Sequence, residues 1–136
     1  AALMQHHTIM LFPEGKSSEG VSLLPLKPNL IEPAILSGTP VLPVAICYTE
    51  NGEKTTKASY ANISIFKCLW TICSTPGLAV TLKVLPTINV EGKTRHEVAC
   101  EASALMSAAM GVADPMKDYP DNVHHHCDAI GTHEKA

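Results

Sequence analysis

A chain of 136 residues is long enough for one modest domain, and a domain of this size buries roughly two-thirds of the surface that its unfolded chain exposes. Apolar residues make up 46% and charged residues 17%, which places the chain among globular proteins with a real core and away from disordered ones. The formal net charge of −3 argues against a nucleic-acid partner, because phosphate binding draws on a clustered positive surface.

The five cysteines, Cys47, Cys68, Cys73, Cys100 and Cys127, are odd in number and form no C-x-x-C pair. That suits reduced thiols facing the cytosol better than a disulfide framework. No apolar run approaches the roughly 20 residues that a membrane-spanning helix requires, so any membrane contact is expected at a surface or through another region. The chain opens Ala1-Ala2-Leu3-Met4 with no signal-peptide pattern, and is expected to start within a domain.

In chain order, the apolar run Thr8 to Phe12 stops at Pro13-Glu14-Gly15 and predicts a buried strand that ends in a loop. Lys16 to Gly20 continues that loop. Asn29 to Leu36 suits a helix, with Asn29 as its cap, Pro33 in the first turn and Gly38 past its end. Val41 to Tyr48 predicts a second strand, in which Pro43 marks an edge, a bulge or the point where the strand begins. Asn51-Gly52 signals a turn. Ile63 to Cys73 fits a strand or a short helix equally well. Leu78 to Ile88 alternates as a third strand, and Lys93 to Met110 places Val98, Ala102, Leu105 and Ala109 at helical spacing, with Gly111 as the stop. This last helix fits core packing; its polar face is not rich in the lysines and arginines of a membrane-surface helix. From Val112 the composition turns polar and aperiodic. The expected organisation is therefore one unit over 1–111 and a poorly ordered polar tail over 112–136.

The chemistry concentrates in Phe12-Pro13-Glu14-Gly15-Lys16-Ser17-Ser18. A strand end delivers a carboxylate into a loop that Pro13 and Gly15 hold in a defined direction. Lys16, Ser17 and Ser18 offer the charged and neutral donors that a phosphate monoester accepts. The competing reading is an ordinary polar loop with a solvated Lys16. In the tail, His124, His125, His126, Cys127, Asp128 and His133 are residue types that ligate zinc, but adjacent histidines cannot all converge on one ion, so no metal site is expected.

The segment from Leu11 to Tyr48 resembles the lysophospholipid, or 1-acylglycerol-3-phosphate, acyltransferase family. Phe12-Pro13-Glu14-Gly15 followed by small polar residues is similar to that family's third conserved block, and Thr39 to Ile46 to its fourth. The run from Leu23 to Gly38 matches the intervening leucines, basic residue and helix. The resemblance implies an α/β fold, a mixed sheet flanked by helices, of which this chain supplies about three strands and two main helices, with the N-terminal half of the domain missing. It implies transfer of an acyl group from acyl-CoA or acyl carrier protein to a lysophospholipid hydroxyl, most simply 1-acylglycerol-3-phosphate to phosphatidic acid. Such an enzyme works at the cytoplasmic face of a membrane, without metal or tightly bound cofactor. Phe12, Pro13, Glu14, Gly15, Lys16, Ser17, Ser18 and Pro43 would serve the acceptor, with Pro43 chiefly shaping its strand.

Two departures from the family pattern matter. Many members place an arginine after the glycine, whereas Lys16-Ser17-Ser18-Glu19-Gly20 offers only a point charge. The family's base is a histidine followed five positions later by an aspartate, and none of His6, His7, His96, His124, His125, His126 or His133 has that partner. The expectation is that no catalytic residue lies on this chain and that it is inactive alone. The alternative, from a different class, is a non-catalytic phospholipid-binding or regulatory remnant.

Overall fold

The structure, a computed structural model, describes residue 3 and residues 7–16, 22–59 and 63–118. Its regular elements are α1 (Glu32–Ser37), β1 (Val44–Glu50), β2 (Glu53–Lys54), α2 (Ile65–Ser74), β3 (Leu78–Val84) and α3 (Arg95–Met110), with a 3-10 turn at Pro28–Leu30 before α1. The three strands form one sheet in the order β2-β1-β3.

Both strand pairings are antiparallel, which corrects the expected mixed sheet among the described residues. The reason lies in the turn chemistry. Asn51 and Gly52 both take positive φ, 51° and 90°, as a two-residue hairpin turn demands, so the chain doubles back into β2 directly. The excursion through β2 and α2 then returns to the end of the sheet it left. Asn51 N donates to Gly77 O at 3.1 Å, and β3 runs back along β1 from Glu50↔Leu78 to Val44↔Val84.

Pro43 resolves as the residue just before β1. Its missing N–H costs the ladder nothing there, and its carbonyl accepts from Leu85 N at 3.0 Å. Beyond it, Val41 and Ile88 exchange both backbone bonds, at 3.0 and 2.8 Å. The run Thr8 to Phe12 is not a strand: it joins no ladder and Ile9, Met10, Leu11 and Phe12 are exposed, Met10 at 83%. Apolar pattern alone cannot make a strand; a neighbouring edge must receive its hydrogen bonds, and none of the described strands lies beside it. The ambiguous stretch at Ile63 to Cys73 resolves as α2. The predicted helix after Asn29 begins later, at Glu32, because the 3-10 turn takes Pro28–Leu30, and Asn29 does not cap it.

The core is built on α3. Thr94 caps it, accepting from Glu97 N at 3.2 Å, while Glu97 Oε2 accepts from Thr94 N at 2.7 Å, a reciprocal box that satisfies two orphan donors. Gly111 ends it in a left-handed turn at φ 64°. Val98, Ala99, Ala102, Ser103, Met106 and Ser107 are buried, against Leu26, Ile31, Ala45, Ile88, Val90 and Met116. Small residues on this stripe let the helix lie close to β1. Lys54 Nζ donates to Met110 O at 2.7 Å and Lys83 Nζ to Ala109 O, so the sheet supplies the cations that α3 lacks at its own C-terminal end.

Packing continues past the expected boundary at Gly111. Met116 is buried and Asp114 accepts from Ser103 Oγ and Met116 N, so residues 112–118 close over α3, while 119–136 fall outside the described residues. On the sheet's other face Val44, Val80, Leu82 and Val84 are exposed.

Two stability predictions follow from α3. Ser107 Oγ is buried with no partner among the described residues, so Ser107→Ala should raise stability by about 1 kcal/mol in denaturant unfolding. The second concerns the cap. The backbone N–H of Thr94, then its hydroxyl, hold the Glu97 carboxyl below its ordinary value, with Lys93 and His96 adding to the effect. A lowered folded-state pKa gives stability that is present above the unfolded value and lost as pH falls through the folded one. Glu97→Ala should therefore lower the melting temperature at neutral pH, and the gap to the parent chain should close in strong acid.

Candidate functional site

The loop after Phe12 is held by its own backbone. Gly15 N donates to Phe12 O at 3.1 Å, closing a turn over Pro13-Glu14, and Gly15 takes φ 69°, a conformation that side chains resist. Glu14 does not point into solvent. Its Oε2 accepts from Leu24 N at 2.9 Å, so the carboxylate clasps the chain where it returns from the loop. Lys27 N donates to Pro13 O at 2.8 Å, a second tie between the same two segments.

These ties bring in a residue that the loop motif alone does not single out. A Cβ added at Gly15 would lie 2.8 Å from both Cε and Nζ of Lys27, so the Lys27 side chain crosses directly over the glycine. Gly15 is thus required for its backbone angle, and its missing side chain also leaves room for the ammonium. Lys27 is placed there by its neighbour: Leu26 is almost wholly buried in the core, and the 3-10 turn begins at Pro28. The signal in the sequence was a lysine flanked by a leucine and a proline, but only the fold reveals that it meets the loop.

Of the other expected site residues, Phe12 and Lys16 are exposed beside the turn. Ser17 and Ser18 lie outside the described residues. Pro43 is buried and bonds to the exit of β3, not to the loop. The arrangement thus joins Phe12 to Gly15 with Leu24 and Lys27, and leaves Pro43 to the sheet. Among the described residues Lys16 and Lys27 make no ion pair, and the Glu14 carboxylate is engaged by a backbone donor. Such a set suits a phosphate monoester.

His7, the one described histidine near the loop, is exposed, and His96 sits on α3 with its Nε2 3.4 Å from Cys100 Sγ. Among the described residues no group of three His, Cys, Asp or Glu side chains could hold a metal ion; the histidine cluster at His124 to His126 lies outside them. No helix of the described residues is long and apolar enough to cross a membrane.

Comparison with known proteins bears on this loop directly. The acyltransferase family model matches residues 1–47, which contain the whole Phe12–Lys27 arrangement. The chain is 39% identical over 79 residues to the 1-acyl-sn-glycerol-3-phosphate acyltransferase of Neisseria gonorrhoeae, covering 57% of this chain and 31% of that protein. It is 32% identical over 107 residues to Mus musculus lysophospholipid acyltransferase LPCAT4, covering 76% of this chain and 20% of that protein. With Danio rerio lysophosphatidylcholine acyltransferase 1 it shares 32% identity over 115 residues, 82% of this chain and 21% of that one. No solved structure matches. The resemblance to lysophospholipid acyltransferases is thereby shown over part of the chain, which spans less than a third of the length of these relatives.

The Gly15 geometry gives a prediction. Gly15→Ala should cost about 1–2 kcal/mol through its left-handed backbone, and should displace Lys27, whose flexible end yields more easily than backbone. Thermal unfolding reads the first effect. The second appears as weakened binding of inorganic phosphate in a titration of the same variant.

Proposed function

We propose that the chain carries the acceptor-binding part of a lysophospholipid acyltransferase, and that the loop from Phe12 to Lys16 with Lys27 receives the acceptor's phosphate. The observation that carries this reading is the crossing of Lys27 over Gly15, next to a Glu14 whose carboxylate is tied to Leu24 N. It lies inside the segment that the acyltransferase family model matches. Two lysines without a fixed fork geometry suit a phosphate monoester dianion, and 1-acylglycerol-3-phosphate bears one.

In the reaction the acceptor hydroxyl attacks the carbonyl carbon of the donor thioester, on acyl-CoA or acyl carrier protein. A C–O bond forms, the C–S bond breaks, and the hydroxyl proton passes to a base and on to the leaving thiolate. This chain's residues contribute position: Lys16 and Lys27 fix the phosphate, and Glu14 fixes the loop that carries Lys16. The base is the histidine–aspartate pair that the family resemblance implies, and no histidine of this chain has that partner. The chain by itself therefore binds acceptor without turning it over, since positioned proton transfer is worth about 10² to 10⁴ in rate. The reaction belongs to phospholipid synthesis at the cytoplasmic face of a membrane, where the acceptor resides.

The test is a titration of the chain with a short-chain 1-acylglycerol-3-phosphate, followed by calorimetry. Lys27→Ala should weaken binding roughly tenfold, the value of one charge-assisted contact, and Lys16→Ala by less. Glu14→Ala should weaken it as well, by releasing the loop from Leu24. Equal affinity for the same lipid lacking its phosphate would sink the reading. Acyl transfer from acyl-CoA by the chain alone would contradict the division of labour.

A further inference from the structure

Helix α2 carries its apolar side chains away from the protein. At about 100° per residue, Ile72, Ile65, Leu69, Cys73, Phe66 and Trp70 share one broad arc, opposite a narrow stripe of Ser74, Lys67 and Thr71. Every residue of the arc is exposed, Phe66 at 81% and Trp70 at 76%, and the helix buries only Cys68, whose Sγ approaches Ala58 O at 3.7 Å. A helix packed on a globular core and facing water has the opposite arrangement.

The surrounding segment differs from the rest of the chain in charge. Between Glu53 and Glu91 there is no aspartate or glutamate, but there are four lysines, Lys54, Lys57, Lys67 and Lys83, in a chain whose net charge is −3. Glu50 neutralises Lys57 at 2.6 Å. Lys54 and Lys83 donate to carbonyl oxygens of α3 and so keep their charge, and Lys67 is exposed on α2 itself. An apolar arc bearing a tryptophan, inside an acid-free basic segment, has the complementarity of an anionic lipid surface. A second copy of the chain would instead set like charges against each other. With 10 residues α2 is about 15 Å long, half the thickness of a bilayer's hydrocarbon core, so it can lie in the interface but not span it.

We propose that α2 docks the protein on anionic phospholipid bilayers, lying in the headgroup–acyl boundary with Ile65, Phe66, Leu69 and Trp70 buried in lipid and Lys67 among the headgroups. This deepens the acyltransferase reading and rests on it for the source of the lipid: a lysophospholipid acceptor dissolves in such a surface, and docking brings the phosphate-binding loop to it.

Trp70 is the chain's one tryptophan, so its emission reports on α2 directly. The full chain is titrated with phosphatidylcholine vesicles, with and without phosphatidylglycerol. Emission should shift to the blue with the anionic vesicles and be quenched most by lipids brominated near the headgroup; the shift should be weaker on phosphatidylcholine alone and at high salt. Phe66→Asp should weaken partitioning roughly tenfold to hundredfold, the loss of one buried aromatic, with melting unchanged because Phe66 packs on nothing that folding requires. Leu36→Asp, at an equally exposed leucine of α1, should leave partitioning as it is. Emission that is already blue and indifferent to vesicles, or that shifts only with protein concentration, would mean protein covers the arc, and would overturn the proposal. So would vesicle binding that leaves Trp70 emission unchanged. Docking through Trp70 in a chain that shows no preference for the phosphorylated acceptor would leave this inference standing and remove the reading of the Phe12–Lys27 loop as the acceptor's phosphate site.

Discussion

The contact between α3 and the segment Leu26–Ile31 is the constraint on which the rest depends. Leu26 and Ile31 are buried against the stripe of Val98, Ala99 and Ala102, and Arg95 Nη1 donates to Glu32 Oε2 at 3.0 Å across the same junction. That ion pair is half-exposed and contributes little by itself; the apolar packing fixes the geometry. With Leu26 anchored, the next residue has no freedom to wander, and Lys27 emerges over the Gly15 turn. The same helix accepts Lys54 and Lys83 from the sheet at its other end. One helix thus ties the segment that carries Lys27 over the Gly15 turn to the strands of the sheet.

Apolar exposure is unevenly distributed around this core. It falls on the run Ile9 to Phe12, on the sheet face of Val44, Val80, Leu82 and Val84, and on α2. The first two have the period and composition of surfaces that protein covers: a continuous run typical of a strand buried on both sides, and an alternating face typical of a sheet awaiting a layer of helices. Helix α2 differs in kind. Its arc includes an amphipathic indole and a lysine at its margin, and no carboxylate stands anywhere in its segment. Helix α2 thus differs in composition from the two surfaces that have the pattern of protein-covered ones.

The sequence revealed the elements whose signals are local. Gly38, Gly111 and the Asn51-Gly52 turn all lie where backbone angles demanded such residues, and the capped amphipathic pattern after Lys93 is α3. What it did not reveal depends on neighbours. The run at Thr8 to Phe12 has strand composition without a ladder, because hydrogen-bond partners are a property of the fold. The β1–β2 hairpin follows from Asn51-Gly52, but the antiparallel pairing of β1 with β3 depends on how the excursion after Glu50 returns, which no window of residues encodes. Val98 and Ala102 face the core as their spacing implies, but the stripe continues through Ser103, Met106 and Ser107 instead of centring on Leu105 and Ala109. The depth of a neighbouring surface decides that rotation.

The loop shows the same division at the level of single atoms. Spacing in the sequence indicates that Pro13 and Gly15 restrict Glu14, and the carboxylate is indeed held; its direction, toward Leu24 N, is set by a residue ten positions away. That direction has an electrostatic consequence. A free carboxylate beside a phosphate would repel it by several times thermal energy at low local dielectric. A carboxylate that accepts a backbone N–H from the returning segment of the loop has part of its charge satisfied there. On the proposed reading, Glu14 therefore organises the loop through Leu24, and the two lysines, one from the motif and one from the core-anchored segment, would act together on the acceptor's phosphate.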